Sequence, residues 1–322
     1  MEGKFIPSIL TRFLHQGEVL GPQGTLDHFT RRNPMVTSKW FVDGQNGSDR
    51  HDGRDPRSPL KTIAGAIAKG AAGDQFYLVG NFTEEVTVGP SLEDVSFISV
   101  SGRPRHADHA RDATYAANHG CSWRDASTPA GPLVIVRAQG VRFEGILLVP
   151  PTATYPAIKL ERNALSGTSE YDASHAQVVD CRFAGGLDGI NDAGGCFNVL
   201  IQGCSFHDQT GDGIKTTSTS VAVPLAWVVE YNRFWGNANH IRCSANHWVV
   251  RYNSFGYFTN FSVSLAHVSA QGERNQVYGN YFSGDYDGEY LGGANDEWAG
   301  NMTMDAGTAE AIEPWTIAAP VA

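Results

Sequence analysis

The second half of the chain repeats a short pattern of apolar and polar positions. A β-branched run is followed by Cys or Asn and, two positions later, by Phe; the pairs are Cys181/Phe183, Cys204/Phe206, Asn232/Phe234, Asn253/Phe255 and Asn280/Phe282. A second apolar position follows each Phe, at Ile190, Ile214, Ile241, Val263 and Leu291. Consecutive Phe residues are between 21 and 28 residues apart. This spacing is typical of a solenoid whose coils carry loops of variable length.

Each repeat holds strands that are too short to form a core alone, so the units must stack on one another. Parallel strands of successive coils lie about 4.8 Å apart, which places Phe on Phe and Ile on Ile inside the coil. The Asn and Cys positions fall at a bend. There an Asn can bond the backbone and its neighbour in the next coil, and a Cys is small enough to be buried. The sequence predicts an all-β protein, a right-handed single-stranded parallel β-helix.

The chain divides into three segments by pattern. Residues 1–38 carry no repeat and are predicted to form an attachment arm, residues 39–300 the β-helix domain, and residues 301–322 a C-terminal tail or cap. A helix at about 59–69 is expected to cover the open end of the first coil. Apolar residues at helical spacing in the arm predict docking on a partner; they are Phe5, Ile6, Ile9, Leu10, Phe13 and Leu14. A disordered arm is the alternative interpretation.

Composition narrows the possible partners and compartments. The net charge of −10 and the absence of a Lys/Arg cluster disfavour nucleic-acid binding. No apolar run is long enough for a membrane span or a secretory signal, so no membrane insertion and synthesis in a cytoplasm are expected. The 5 Cys residues are odd in number and lack metal-ligand spacing. They are predicted to be free, mostly buried thiols, with no metal and no cofactor.

Several of these features together resemble a known superfamily. The segment WFVDGQNGSDRHDGRDPRSPLKTIAGAIA, followed by a Gly-Asp-x-Phe-Tyr-Leu strand and the Asn-x-Phe coils, resembles the pectate-lyase-like β-helix superfamily in the style of bacteriophage tailspikes, fibres and other virion-attached proteins. The resemblance covers roughly residues 39–300. It implies a homotrimer, and a location on the virion with the N-terminal arm bound to phage particle proteins. Members of the superfamily include lyases, hydrolases and catalytically silent structural or binding proteins.

One outward-facing column offers candidate chemistry for an anionic polysaccharide. If Ile214 and Ile241 point inward, alternation along the strands places Lys215 and Arg242 outward, and His240 in a second outward column. A lyase needs a cation beside a uronate carboxyl and a base to remove a proton; Arg242 with Lys215 or His240 could fill these roles. The alternative is that these side chains only make the surface soluble.

A pair of carboxylates offers different chemistry. Asp188 and Asp212 occupy equivalent positions in successive coils and are expected to lie about 5 Å apart on one face. Two carboxylates across a sugar could hydrolyse a glycosidic bond. The alternative is that each Asp bonds the backbone of its own Asp-Gly-Ile turn.

Acidic and aromatic residues gather near the last coil. The predicted glycan-binding or interface residues are Asp285, Tyr286, Asp287, Glu289, Tyr290, Asp296, Glu297 and Trp298. Aromatic faces stack on sugar rings and carboxylates bond hydroxyls, so the group resembles a sugar cleft. A subunit interface anchored by Tyr and Trp is the equal alternative.

These observations favour one function and leave two open. The first is a phage virion protein, such as a tailspike, fibre or particle-surface spike, that binds host surface polysaccharide. The second is a polysaccharide depolymerase of the same fold, either a lyase or a glycoside hydrolase. The third is a purely structural decoration protein. Because catalysis has no convincing signature here, the prediction leans away from an enzyme.

Overall fold

The computed structural model describes most of the predicted β-helix domain. The described residues are 38–100, 121–124, 130–150, 154–163, 171–216, 223–256, 258–265, 274–283, 290–291, 295–305 and 308–311. The predicted attachment residues Phe5, Ile6, Ile9, Leu10, Phe13 and Leu14 lie outside them. So do Asp285, Tyr286, Asp287 and Glu289 of the acidic aromatic group.

The described chain winds into coils of three parallel sheets, which confirms the predicted β-helix. Sheet A contains β1 (Lys39–Asp43), the first part of β2 (Gln75–Thr83), β4 (Ser96–Ser99), β7 (Arg142–Glu144), β10 (Gln177–Val179), β13 (Leu200–Gln202), β16 (Val228–Glu230), β19 (Val249–Arg251), β22 (Gln276–Tyr278) and β25 (Glu297–Ala299).

Sheet B follows sheet A in each coil, and sheet C closes the coil. Sheet B contains the end of β2, β5 (Cys121–Arg124), β8 (Leu147–Val149), β11 (Arg182–Ala184), β14 (Ser205–His207), β17 (Arg233–Trp235), β20 (Ser254–Phe255), β23 (Tyr281–Ser283), β26 (Met302–Asp305) and β27 (Thr308–Ala311). Sheet C contains β3 (Val86–Val88), β6 (Val134–Val136), β9 (Ile158–Leu160), β12 (Ile190–Asp192), β15 (Asp212–Thr216), β18 (Asn237–Arg242), β21 (Phe258–Ser264) and β24 (Tyr290–Leu291).

The repeated Phe residues form a continuous stack inside the coils. The ring of Phe206 lies 4.5 Å from that of Phe183 and 4.9 Å from that of Phe234, centroid to centroid, and the stack continues through Phe255 to Phe282. All these side chains are buried. The register that the sequence pattern predicts is therefore the register of sheet B.

The Asn column forms a hydrogen-bonded ladder at the bend between sheets A and B. The Nδ2 of Asn232 donates to Oδ1 of Asn253, and Asn253 donates to Asn280 in the same way, each over 3.0 Å. Asn280 in turn donates to Asn301. Cys204 takes the Asn position one coil earlier, and its Sγ donates to the carbonyl of Val178. The predicted role of this column is confirmed, and the five cysteines are all buried and unpaired.

The described elements differ from the sequence prediction at the first and last coils of the β-helix. The helix α1 spans only Ile63–Ile67, because Thr62 caps its first turn by accepting a hydrogen bond from Gly65. At the other end, β26 pairs in parallel with β23, so the coils continue past residue 300. The antiparallel strand β27 then covers β26.

Two further features differ from the repeat pattern: the strand β5 and the alignment of Leu291. The strand β5 (Cys121–Arg124) lies between residues that carry no repeat, and its Trp123 is fully buried. A single aromatic side chain fills the interior there without a run of β-branched residues. In sheet C, Tyr290 aligns with Val263, and Leu291 aligns with Ser264 rather than with the interior column.

Candidate functional site

The outer face of sheet C carries a column of polar side chains. Strand register aligns Lys159 with Asn191, Asn191 with Lys215, and Lys215 with Arg242. Ile190, Ile214 and Ile241, the residues that precede the last three, are fully buried. The predicted outward positions of Lys215 and Arg242 are therefore confirmed.

Asp188 and Asp212 lie beneath this column and are adjacent, as predicted. The backbone N–H of Asp212 donates to Oδ1 of Asp188 over 2.9 Å, so the contact joins two successive coils. Asn191 donates to the other oxygen of Asp188 over 3.0 Å. Neither Asp side chain is exposed to solvent. Each carboxylate therefore bonds groups across the coils and is not confined to its own turn.

The two cations of the column pair with these buried carboxylates. Nζ of Lys215 lies 3.6 Å from Oδ2 of Asp188 and 3.8 Å from Oδ2 of Asp212. The guanidinium of Arg242 donates to Oδ2 of Asp212 from Nε over 3.0 Å, and its second nitrogen lies 2.9 Å from that oxygen. The cation side chains are 25% and 28% exposed. The cluster thus has a buried negative layer and a solvent-facing positive layer.

The pKa of Asp212 reflects both its burial and its pairing with the two cations. Burial raises the pKa of Asp212, and the neighbouring charge of Asp188 raises it further. A hydrogen bond from Asn239 and the charges of Arg242 and Lys215 act in the opposite direction but do not cancel the shift. The cations therefore stabilise a carboxylate that would be costly to bury alone. Asn239 was not predicted as part of this cluster. Nothing in its local sequence, Asn237-Ala238-Asn239-His240, indicates a contact with Asp212 in the preceding coil.

His240 lies inside the coil, so its predicted outward orientation is wrong. Its side chain is fully buried, and its ring centroid lies 5.7 Å from that of Phe234 and 5.8 Å from that of Phe255. Nε2 is 3.0 Å from the carbonyl of Gly256. The physical reason is that its whole column faces the interior. A Cβ on the equivalent Gly213 would lie 3.0 Å from the ring of Phe234, and one on Gly189 would lie 2.6 Å from the ring of Phe206. This residue cannot reach a substrate on the outer face.

Burial of His240 predicts a stability that depends on pH. Burial lowers the pKa of His240 to about 4, whereas an unfolded histidine has a pKa of about 6.5. The unfolded chain therefore binds the proton more tightly, and the free energy of unfolding is expected to fall as pH decreases from 6.5 to 4. The loss from this group should reach about 3 kcal/mol.

The measurement is denaturant unfolding of the wild type and His240→Gln between pH 4 and pH 7. The difference between the two stability curves should shrink on acidification, because Gln cannot be protonated. The exposed His247, changed to Asn to suit its left-handed backbone, is the matched control and should follow the wild type. Parallel curves for wild type and His240→Gln would refute this assignment.

The structure describes the surroundings of three residues of the acidic aromatic group, Asp296, Glu297 and Trp298. Trp298 is partly buried and packs against the core, in register with Val277 of sheet A. Asp296 accepts hydrogen bonds at Oδ1 from the backbone and side chain of Asn275 and so supports a second turn ladder. Glu297 is exposed. For Tyr290 the structure describes only the backbone, so a sugar or interface role for the remaining residues stays a prediction.

The described residues lack both a cluster of metal-binding side chains and a membrane-spanning helix. Within the ranges given above, no group of three or more His, Cys, Asp or Glu side chains is placed to hold a metal ion. In the same ranges, no helix has the length and apolar character needed to cross a membrane.

Known structures with a similar architecture identify the fold. A family model described as right-handed β-helix region matches residues 152–296. No curated protein sequence matches the chain. The chain is similar to pectate lyase Pel9A, with 12% identity, a TM-score of 0.52 and coverage of 84% of this chain and 78% of that one. It is also similar to alginate lyase from Paenibacillus sp. str. FPU-7, with 13% identity, a TM-score of 0.54 and coverage of 84% and 97%. The Dettilon tailspike protein matches at 14% identity and a TM-score of 0.41, with coverage of 82% and 61%. The protein thus has the right-handed parallel β-helix fold seen in pectate-lyase-like proteins.

Proposed function

We propose that this protein binds an anionic polysaccharide on the outer face of sheet C, through Lys215 and Arg242. The observation that carries the proposal is the layering of charge in the cluster. Asp188 and Asp212 are completely buried, whereas both cation side chains reach solvent. A ligand that approaches this face meets ammonium and guanidinium groups already held in place. A uronate carboxylate is the anionic sugar group that fits such a pair.

The same layering disfavours glycoside hydrolysis. A hydrolase places two carboxyl groups on either side of the sugar, where both can contact the scissile bond or a water. Asp188 and Asp212 instead accept hydrogen bonds from the protein below the cations, and neither is accessible. Their role in this proposal is to position Lys215 and Arg242.

Cleavage by β-elimination is the second candidate function, favoured by the adjacency of the two cations. Arg242 would bind the uronate carboxylate and stabilise the negative charge that develops when the neighbouring C5–H bond breaks. Lys215, after passing its own proton to solvent, would accept the C5 proton. The electron pair forms a C4–C5 double bond, and the C4–O bond breaks to release the preceding sugar, whose oxygen takes a proton from solvent. No added cofactor is needed for this balance.

Removal of either cation is expected to weaken polysaccharide binding. Lys215→Met and Arg242→Met should each lower the affinity for a uronate polysaccharide about tenfold or more, because each removes a charged hydrogen bond. Binding is measured by calorimetry against polygalacturonate, alginate and uronate-containing bacterial capsules. Lys61→Met, an exposed cation near α1, is the charge-matched control.

The same samples separate binding from elimination. An increase in ultraviolet absorbance from unsaturated uronates, lost in both site variants, would support the second candidate. Binding without such an increase would support polysaccharide binding and contradict elimination. Unchanged binding in both site variants would show that the cluster is structural.

We further propose that the protein is carried on a phage particle, as a homotrimer attached through residues 1–38. The support is the resemblance of the arm and of the opening of the β-helix to phage spike proteins, together with the apolar residues of the arm at helical spacing. Deletion of residues 1–38 should prevent incorporation into particles while the β-helix remains folded, measured by particle composition and circular dichroism. Light scattering on the full chain tests the trimer, and a monomer would contradict it. Incorporation of the truncated chain would contradict the attachment role.

A further inference from the structure

Three aromatic rings lie on the outer surface beside sheet B: Tyr231 and Tyr252 at its bend with sheet A, and Trp235 at the end of β17. We call Tyr231, Tyr252 and Trp235 the aromatic shelf. Tyr231 and Trp235 are 56% and 45% exposed and are among the few large apolar side chains that the described residues leave exposed. Such exposure is uncommon for aromatic groups, whose burial stabilises a fold.

The backbone of the two tyrosines is unusual for their residue type. Tyr231 has a φ of 56° and Tyr252 a φ of 54°, in the left-handed region. The equivalent turn position holds Gly203 in the coil before and Gly279 in the coil after, both of which adopt this conformation without steric cost. A bulky residue here costs conformational energy in each of two successive coils. The turn itself therefore does not require a ring at this position.

The rings are held flat and rigid by their neighbours. Tyr231 stacks on Tyr252 with centroids 5.3 Å apart, and Tyr252 meets the edge of Tyr278 at 5.6 Å. The hydroxyl of Tyr278 accepts a hydrogen bond from Arg251 over 2.8 Å, and Arg251 is paired with Glu230. Ring surfaces fixed before a ligand arrives lose little freedom on binding.

Two of the rings pack directly against glycines of the next coil. A Cβ placed on Gly279 would lie 2.7 Å from the ring of Tyr252, and one on Gly256 would lie 2.0 Å from the ring of Trp235. Only a residue without a side chain lets each ring lie this close to the backbone of the next coil. The rings thus lie along the surface rather than projecting from it.

The polar groups around the shelf indicate the kind of ligand. The exposed Arg233 lies on β17 between Tyr231 and Trp235, and the exposed Ser254 aligns with it on β20. Trp235 follows Tyr231 by four positions, which spans at most about 13 Å of extended chain. Flat aromatic surfaces with hydrogen-bonding groups between them suit the apolar faces and hydroxyls of a short sugar chain.

The size of the shelf argues against a second protein copy. Three aromatic side chains supply at most about 750 Å² even when fully covered, and these are already about half buried. A stable protein interface needs about 800 Å² from each partner. We infer that the aromatic shelf is a binding site for an oligosaccharide, separate from the cation pair of sheet C and independent of the function proposed for it.

The test is binding to a printed array of bacterial surface glycans. Tyr231→Gly/Tyr252→Gly restores the residue type of the neighbouring coils, so it removes the rings without disturbing the turn. This double variant and Trp235→Ala should each lower the signal for the same glycans at least about tenfold. Lys61→Met, an exposed charge change that lies in neither proposed site, should leave that set of signals unchanged.

Two results would overturn the inference. The first is an array on which no glycan signal depends on the tyrosines or on Trp235. The second is a loss of self-association in the double variant, seen by light scattering, without any loss of glycan signal. That outcome would make the shelf a contact between copies of this chain.

Discussion

Replacement of Phe234 by Ala is expected to lower the free energy of unfolding by about 3–5 kcal/mol. Phe234 is fully buried in the middle of the aromatic stack, with ring centroids 4.9 Å from Phe206 and 5.0 Å from Phe255. Ala removes the ring from both contacts and from its contact with His240. The neighbouring rings are fixed by the strand register of sheet B, so they cannot move together to fill the cavity.

Denaturant unfolding followed by circular dichroism measures this loss. Arg233→Ala is the matched control, since Arg233 precedes Phe234 on the same strand but is exposed. Its effect should stay within about 0.5 kcal/mol. An equal, small effect of the two substitutions would show that the coils repack freely and that the stack is not a principal source of stability.

Replacement of Asn253 by Ala is expected to cost about 4 kcal/mol of unfolding free energy. The side chain makes four buried hydrogen bonds: it accepts from the backbone and side chain of Asn232, and it donates to the carbonyl of Val229 and to Asn280. Each such bond contributes about 1 kcal/mol, and Ala leaves the partners buried and unsatisfied. Three consecutive coils lose a contact from this one change.

A Cys variant makes the test specific to the ladder. At the equivalent position Cys204 donates to the carbonyl of Val178, so Asn253→Cys should retain the corresponding bond to Val229 and lose less stability than Asn253→Ala. Ser254→Ala, an exposed change at the next residue, should have little effect. If Asn253→Ala and Ser254→Ala were equally stable, the hydrogen-bonded ladder would have no stabilising role.

The candidate site could be predicted only in part, and the reason lies in the local backbone. Alternation along a regular strand places Lys215 and Arg242 outward, and equal positions in successive coils place Asp188 beside Asp212. The same rule failed for His240, because its column faces the Phe stack, as the equivalent Gly189 and Gly213 do. Neither rule could show that the carboxylates lie below the cations, since burial depends on side chains that come from three separate coils.

The aromatic shelf had no signal that sequence reasoning could use. Tyr231 and Tyr252 follow apolar strands and look like core residues by type. Only the left-handed backbone at the bend turns them outward, and only Gly256 and Gly279 in the next coil let Trp235 and Tyr252 lie flat.

The sequence by itself determined the coil. The Asn or Cys, Phe and aliphatic positions recur through the coils of the second half. Because each coil pairs with the next in the same register, these positions specify one arrangement of the strands. The tertiary structure alone decided what the outer surface presents. Outward residues are free of that repeated constraint, and their neighbours lie more than 20 residues away along the chain, as with Asp212 and Asp188. Their exposure, pairing and charge therefore follow from the stacking of coils and not from the order of residues within one.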